Sequence, residues 1–286
     1  MLFPPYKEFI LKFPSGYTIP LNKKTCIMGI LNITPDSFSD GGDFFSIDSA
    51  VKQAVSLQEE GADILDIGGE SSRPGSKQIS VEEELSRIVP ILKELISIIK
   101  IPISVDTYKS RVAERAIELG AGLINDISAM RMDPDMPKIA AETNVPIILM
   151  HMLGKPQTMQ NNPHYNSLID EIKLFFKERI DCAKSAGIKP ENIIIDPGIG
   201  FGKTLEHNLK IIKYLDSFHS LGFPVLIGTS RKSMIGNILN LPPKERLEGT
   251  SATVTASILN GANIIRVHDV KEMKLVALMA DAIKNV

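Results

Sequence analysis

The sequence predicts an α/β chain wound into a (β/α)8 TIM barrel, and three observations carry that prediction. Eight short apolar runs alternate with eight stretches of helical periodicity, the order that lays parallel strands beneath crossover helices. Five joins from helix to strand place a glycine just past the helix, at Gly61, Gly120, Gly187, Gly222 and Gly261, where a left-handed C-cap is wanted. The alternative, an open doubly wound sheet, carries a glycine fingerprint after its first strand, and that fingerprint is missing.

In chain order, residues 9–21 read as a β-hairpin around Pro14-Ser15-Gly16, placed to close the bottom of the barrel. Strands are expected at 26–33, 62–69, 102–106, 123–128, 146–151, 192–197, 224–229 and 263–269. Helices are expected at 46–60, 81–100, 109–119, 134–143, 167–186, 204–220, 247–260 and 271–285. Ser80, with Glu83 three residues on, forms a capping box for the second helix. The loop after the first strand holds acids, serines and a phenylalanine, and reads as functional rather than as a connector.

At 286 residues the chain reads as a single domain over 1–286, with the hairpin in 1–24 and the barrel in 25–286. An apolar share of 43% supplies a sizeable core, and a formal charge of −2 argues against a nucleic-acid binder driven by bulk electrostatics. No apolar stretch approaches the length of a membrane span, and the N-terminus lacks the pattern of a signal peptide. Cys26 and Cys182 fit no metal spacing. The expectation is a cytoplasmic protein with reduced thiols and neither nucleic-acid nor membrane partners.

In a barrel the chemistry gathers at the carboxyl ends of the strands. Those ends carry Asn32, Gly68-Gly69-Glu70, Asp106, Asn125, Met150-His151, Asp196, Ser230-Arg231-Lys232, and Arg266 with His268. One polar residue at a strand end is as often a turn cap as a functional group, but eight ends in the same condition read as a site. Alternation places Arg266 and His268 on one face with Val267 opposite, and Asn125 with Ile127 while Asp126 points away. Arg266, His268 and the Asn32 amide suit an anion, since barrels hold phosphate near their last two strands. Asp106, Asn125 and Asp196 suit the edge of a flat, nitrogen-rich heterocycle, with Ile127, Ile148, Met150 and Phe201 as its apolar walls and Lys232 against the ring. Asp66, mid-strand, reads equally as a site group and as half of a buried ion pair. Residues 198–204 imitate a phosphate loop, but Pro197 stands where its first glycine is required. His151, His164, His207 and His219 show no metal spacing and read as structural or surface residues.

These residues fall in long motifs. Residues 29–42 (GILNITPDSFSDGG) and 61–75 (GADILDIGGESSRPG) resemble the two signatures of the dihydropteroate synthases. SVDT at 104–107, INDI at 124–127, IDPGIGFGK at 195–203, GTSRKS at 228–233 and RVHD at 266–269 follow in that family's order. The resemblance implies a transferase of folate biosynthesis that joins 6-hydroxymethyl-7,8-dihydropterin pyrophosphate to 4-aminobenzoate, releasing pyrophosphate and 7,8-dihydropteroate. By position, it implies that Lys232, Asp40, Arg266 and His268 act in catalysis. Asp106, Asn125, Ile127, Met150, Asp196, Phe201, Gly228, Lys232 and Ser72 would bind the pterin pyrophosphate, with Arg266, Val267 and His268 at its pyrophosphate. Phe38, Ser72, Arg73, Pro74 and Ser233 would form the aminobenzoate pocket. Asn32 would contact Mg2+, and the active form would be a homodimer. Ser72 stands where the family often has threonine, which keeps the hydroxyl and drops a methyl contact. A pterin-binding methyltransferase has no reason to keep Ser71-Ser72-Arg73-Pro74 or Arg-x-His, and an inactive scaffold would show damage in a loop.

Overall fold

The computed structural model describes residues 8–21, 23–34 and 47–286. Its centre is an eight-stranded parallel sheet, rolled up so that each strand lies beside its neighbour in sequence. The strands are β3 (Cys26–Asn32), β4 (Ile64–Gly68), β5 (Ile103–Asp106), β6 (Leu123–Asp126), β7 (Ile147–Met150), β8 (Ile193–Asp196), β9 (Leu226–Ile227) and β10 (Ile264–Val267). β10 pairs with β3, and a bridge between Ile195 and Val225 closes the ring beside β9. The helices are α1 (Ile47–Glu59), α2 (Val81–Ile98), α3 (Ser110–Glu118), α4 (Met136–Thr143), α5 (Leu168–Ser185), α6 (Leu205–Lys213), α7 (Ser233–Leu239), α8 (Leu247–Leu259) and α9 (Val270–Lys284).

Period-two alternation sorts the strand residues into two cores. Outward residues such as Ile27, Leu65, Val105, Ile124, Ile147, Ile195 and Val267 pack with the helices in the larger cluster. Inward residues near the amino ends, Cys26, Met28, Ile64, Leu123, Ile148, Ile194, Leu226 and Ile264, form the smaller one. The hairpin of β1 (Ile10–Lys12) and β2 (Thr18–Pro20) caps that lower layer with Leu11, Phe13, Ile19 and Leu21. This is the expected bottom closure. It also corrects the placing of Ile148 in a ligand wall. Ile148 shares a face with Met150 but lies two residues, about 6.6 Å, deeper, and packs on the hairpin layer.

All five joining glycines have positive φ, from +82° at Gly222 to +114° at Gly120. Gly61 and Ala62 donate back to Gln58 and Leu57 at 3.0 Å each, the paired bonds of a Schellman turn. Three local expectations fail. Ser80 accepts from the Glu83 N–H at 3.1 Å, but the Glu83 carboxylate turns to Arg87, so the box is half formed. The helix expected over 204–220 stops at Lys213 and continues as a tighter 3-10 turn, Leu215–Leu221. Helix α7 was not expected, because it is short, holds Gly236 and starts from Lys232 with no side-chain cap.

A Cβ on Gly120 would lie 2.7 Å from Ile96, whereas one on Gly222 would meet nothing within 4 Å. Both alanine variants carry the left-handed backbone penalty of about 1–2 kcal/mol. Thermal denaturation should therefore show Gly120→Ala falling several degrees further than Gly222→Ala; equal losses would contradict the packing at this join.

Candidate active site

Above the apolar lower layer, the next inward positions turn polar. Asp66 on β4, Asp106 on β5, Asn125 on β6, Asp196 on β8 and Arg266 on β10 all face the barrel axis near its carboxyl end. Arg266 spans the opening. Its Nε donates to Asp66 Oδ2 at 2.6 Å and its Nη2 to Asp106 Oδ2 at 2.7 Å. Asn125 Nδ2 donates to the same Asp66 oxygen at 3.0 Å. Of the two readings of Asp66, the buried ion pair is the one formed, and it lies within the polar layer itself.

Charge and burial oppose each other here. Burial lifts the Asp106 carboxyl well above the usual range, with Arg266 working against it. Burial likewise pushes Asp196 up to about 6, although the Gly198 N–H donates to its Oδ1 at 2.7 Å. Lys232 is brought down to about 8 by burial and then by Arg266, and its ammonium lies 4.4 Å from the centre of the Phe201 ring. Burial, Arg266 and Arg231 hold His268 down at about 3, so its imidazole is neutral. The Ser230 hydroxyl accepts from the His268 N–H at 3.2 Å and lies 3.0 Å from Nδ1. With that hydroxyl proton turned to Nδ1, the Nε2–H remains as a donor.

Beside the polar layer stands an apolar wall of Ile127, Met150 and Phe201, joined by Tyr108, Met152, Met159 and, at its edge, Met132. Sequence reading found the first three. It missed the two methionines of the long loop after β7, since a loop gives no periodicity to read. That loop is tied across the mouth: Gly75 N–H donates to Pro156 O at 3.2 Å and Gln160 Nε2 to Gly200 O at 2.6 Å.

The glycine turn after β8 is built around a buried lysine. Lys203 Nζ lies 2.9 Å from His151 Nδ1 and donates to the Phe201 carbonyl at 3.0 Å. Lys203 thus braces the turn from beneath instead of reaching toward a phosphate, in keeping with the rejection of a phosphate loop. Only glycine fits at 198, where φ is +70° and a Cβ would fall 2.0 Å from the His151 carbonyl oxygen.

The second loop is anchored at its base by a cluster that sequence reading missed. Glu70 accepts from Tyr108 Oη at 2.9 Å and from the Ile79 N–H at 3.2 Å. Lys109 forms ion pairs with both Glu70 and the buried Glu84. The loop's Ser72 is half-buried, while Arg73 and Pro74 are exposed. Pro74 and the exposed Ser233 line one cavity of about 290 Å³, together with Gln160, Asn208 and Asn237.

Two expected groups sit differently. Val267 is fully buried in the outer core, so its side chain faces the helices and only its main chain is near the mouth. Arg231 turns from the mouth and pairs with Asp269 through Nε at 3.0 Å, locking two strand-end loops together. Phe38 and Asp40 lie outside the described residues. Asn32 and Gly228 are half-buried at the ends of their strands. Arg246 was not foreseen: its guanidinium donates to the carbonyls of Arg231 at 2.9 Å and Lys232 at 3.2 Å, bracing the backbone that carries Lys232.

Comparison with known proteins adds to this geometry. The family described as pterin binding enzyme matches residues 28–268. A dihydropteroate synthase of Synechocystis sp. is 49% identical over 272 residues, covering 94% of each chain. One of Clostridium beijerinckii is 53% identical over 264 residues, covering 92% of this chain and 96% of its own. The crystal structure of the Yersinia pestis dihydropteroate synthase in a sulfonamide drug complex superposes with a TM-score of 0.92 at 42% identity, over 97% of this chain and all of its own. With a polar barrel mouth, an apolar wall beside it and likeness across almost the whole length, the chain belongs to the dihydropteroate synthase family of pterin-binding enzymes.

Proposed function

We propose that the barrel mouth joins 6-hydroxymethyl-7,8-dihydropterin pyrophosphate to 4-aminobenzoate by assigning one set of its residues to each part of the substrates. The observation that carries this division is the meeting of Asp106, Asn125 and Asp196 with Lys232, Arg266 and His268 at one end of the barrel. The carboxylates and amide match the hydrogen-bonding edge of a pterin, whose ring then lies against Ile127, Met150 and Phe201. Lys232 holds its charge beside that ring. Gly228, lacking a side chain, leaves room at the end of its strand.

Arg266 and the Nε2–H of neutral His268 receive the pyrophosphate as it leaves, stabilising charge that grows in the transition state. The pterin methylene becomes cationic as the C–O bond breaks, with Asp106 and Asp196 as nearby negative charges. The aryl amine attacks that carbon and loses its proton, and no enzyme nucleophile is required. Asn32 fits Mg2+ as a single hard oxygen donor at a strand end. Among the described residues no cluster of three His, Cys, Asp or Glu is arranged for a metal. Mg2+ commonly takes one or two protein ligands and the rest from phosphate and water. When bound, Mg2+ would neutralise pyrophosphate charge.

Ser72, Arg73, Pro74 and Ser233 supply the aminobenzoate pocket in this reading. The Pro74–Ser233 cavity supports it. Phe38 and Asp40 are assigned by resemblance alone. We assign 1–286 to one functional domain, since the hairpin and the barrel floor share a single apolar layer. Both cysteines are free, in keeping with a cytoplasmic location. Among the described residues no helix is long and apolar enough to cross a membrane.

The direct test is to mix the protein with dihydropterin pyrophosphate, 4-aminobenzoate and Mg2+ and to follow both products by chromatography. The reading requires dihydropteroate and pyrophosphate in equal amounts, with a rate at least about 100-fold lower for Lys232→Ala. A folded, pterin-binding protein that releases neither product would overturn it.

The pH dependence of kcat/KM for the pterin substrate follows from the raised carboxyls and the lowered lysine. Asp196 must lose its proton near 6 and Asp106 near 7, so activity rises with pH across that range; Lys232 must keep its proton, so activity falls above about 8. Lys232→Arg should remove the alkaline limb and leave the acid limb; an alkaline limb unchanged in this variant would exclude Lys232 as its source.

Helix α9 exposes Leu275, Leu278, Met279 and Ile283, an apolar face that suits the homodimer expected of the family. Light scattering should give a dimer for the wild type and a monomer for Leu275→Glu/Met279→Glu; dimers from both would move the interface elsewhere.

A further inference from the structure

Asp66 has no part in the reaction as assigned above, yet it touches two of the groups that do. It is fully buried at the middle of β4, beneath the mouth. Oδ2 accepts both Arg266 Nε and Asn125 Nδ2, while Oδ1 meets no hydrogen-bonding partner among the described residues. Every directional contact of this carboxylate therefore goes to Arg266 or Asn125. A carboxylate can only accept, so Asn125 must turn its NH2 group down to Asp66 and leave its carbonyl oxygen for the mouth. The guanidinium is planar, so holding Nε fixes the plane in which its other N–H groups lie. Its second contact is of a different kind. Nη2 rests on Asp106, the carboxylate assigned to the pterin, and must yield when the pterin arrives.

We propose that Asp66 is a positioning residue: it pins the Nε edge of Arg266 and the amide of Asn125, so that a pterin on Asp106 frees the Nη edge for the pyrophosphate while the guanidinium keeps its anchor. The inference rests on the assignment of Asp106 and Asn125 to the pterin and of Arg266 to the pyrophosphate. It adds that the two halves of one substrate are recognised jointly. A pterin without its pyrophosphate breaks the Asp106–Arg266 pair and leaves the Nη edge of Arg266 with no anion in exchange. A residue serving only to neutralise Arg266 would affect stability and leave kcat/KM for dihydropterin pyrophosphate unchanged.

The test is Asp66→Asn, which keeps the volume and one acceptor oxygen but removes the charge, measured in the wild-type and Arg266→Ala backgrounds. Loss of a charged hydrogen bond predicts a fall in kcat/KM for dihydropterin pyrophosphate of about 10- to 100-fold. KM for 4-aminobenzoate should change less than about twofold, and in the Arg266→Ala background the same substitution should cost less than about threefold, the non-additivity of coupled residues. An unchanged kcat/KM, or equal losses in both backgrounds, overturns the proposal. If Asp66→Asn does not fold, nitrogen-15 NMR of the wild type decides. The Arg266 Nε–H signal, identified by its loss in Arg266→Lys, should stay protected from solvent exchange when dihydropterin and pyrophosphate are bound, and its loss of protection overturns the proposal. A wild type that makes no dihydropteroate would instead overturn the functional reading itself.

Discussion

The contact of the Arg266 guanidinium with Asp66 and Asp106 is the constraint on which the rest of the mouth depends. Three carboxylates, Asp66, Asp106 and Asp196, face one narrow, low-dielectric space, where like charges repel strongly. Arg266 and Lys232 are the cations that make the arrangement tolerable. Removing one partner of such a buried pair commonly costs about 3–5 kcal/mol, because the other is left charged and desolvated. The same pairing keeps the carboxylates positioned before any substrate arrives. Binding then exchanges one set of charged contacts for another and creates few from nothing.

The barrel supports this arrangement by stacking its interior. The hairpin seals the floor with apolar side chains, the inward layer above it is apolar except for Ser104, and the next is the polar layer. One inward step below Asp106, Ser104 is buried and its hydroxyl has no hydrogen-bond partner among the described residues, which shows how little the lower layer offers a polar group. Off to one side, the wall of Met150, Met152, Met159 and Phe201 gives an aromatic ring somewhere to lie. Methionines suit a loop wall because they fill irregular space without fixed shape. Below Phe201, the buried Lys203 and His151 hold the glycine turn; burial lowers Lys203 to about 7 and keeps His151 well below its usual range.

Much of this was legible in the residues. Strand ends marked Asp106 and Asp196, alternation set Asn125 apart from Asp126 and Arg266 apart from Val267, and the five joining glycines marked the helix ends, because these signals arise from local backbone geometry. Depth was not legible: alternation says that Ile148 and Met150 share a face, but not that a hairpin fills the space around the lower one. Tertiary contacts were also out of reach. The Glu70–Lys109–Glu84 cluster joins residues from three separate strand-end and helix segments, and Arg246 supports Lys232 from 14 residues away. Helix α7 was hidden for a local reason, its weak start at Lys232 and an internal glycine. That glycine has a tertiary cause, since a Cβ on Gly236 would fall 2.1 Å from the Arg246 guanidinium.

In this site the polar layer reads the pterin edge while Arg266 and His268 hold the pyrophosphate. A crystal structure of the protein with dihydropterin and pyrophosphate bound tests it most directly. Hydrogen bonds from the pterin to Asp106, Asn125 and Asp196 are expected, with Arg266 still on Asp66 and its Nη edge on the pyrophosphate. A pterin seated away from those three residues, or a pyrophosphate that leaves Arg266 paired with Asp106, would contradict it.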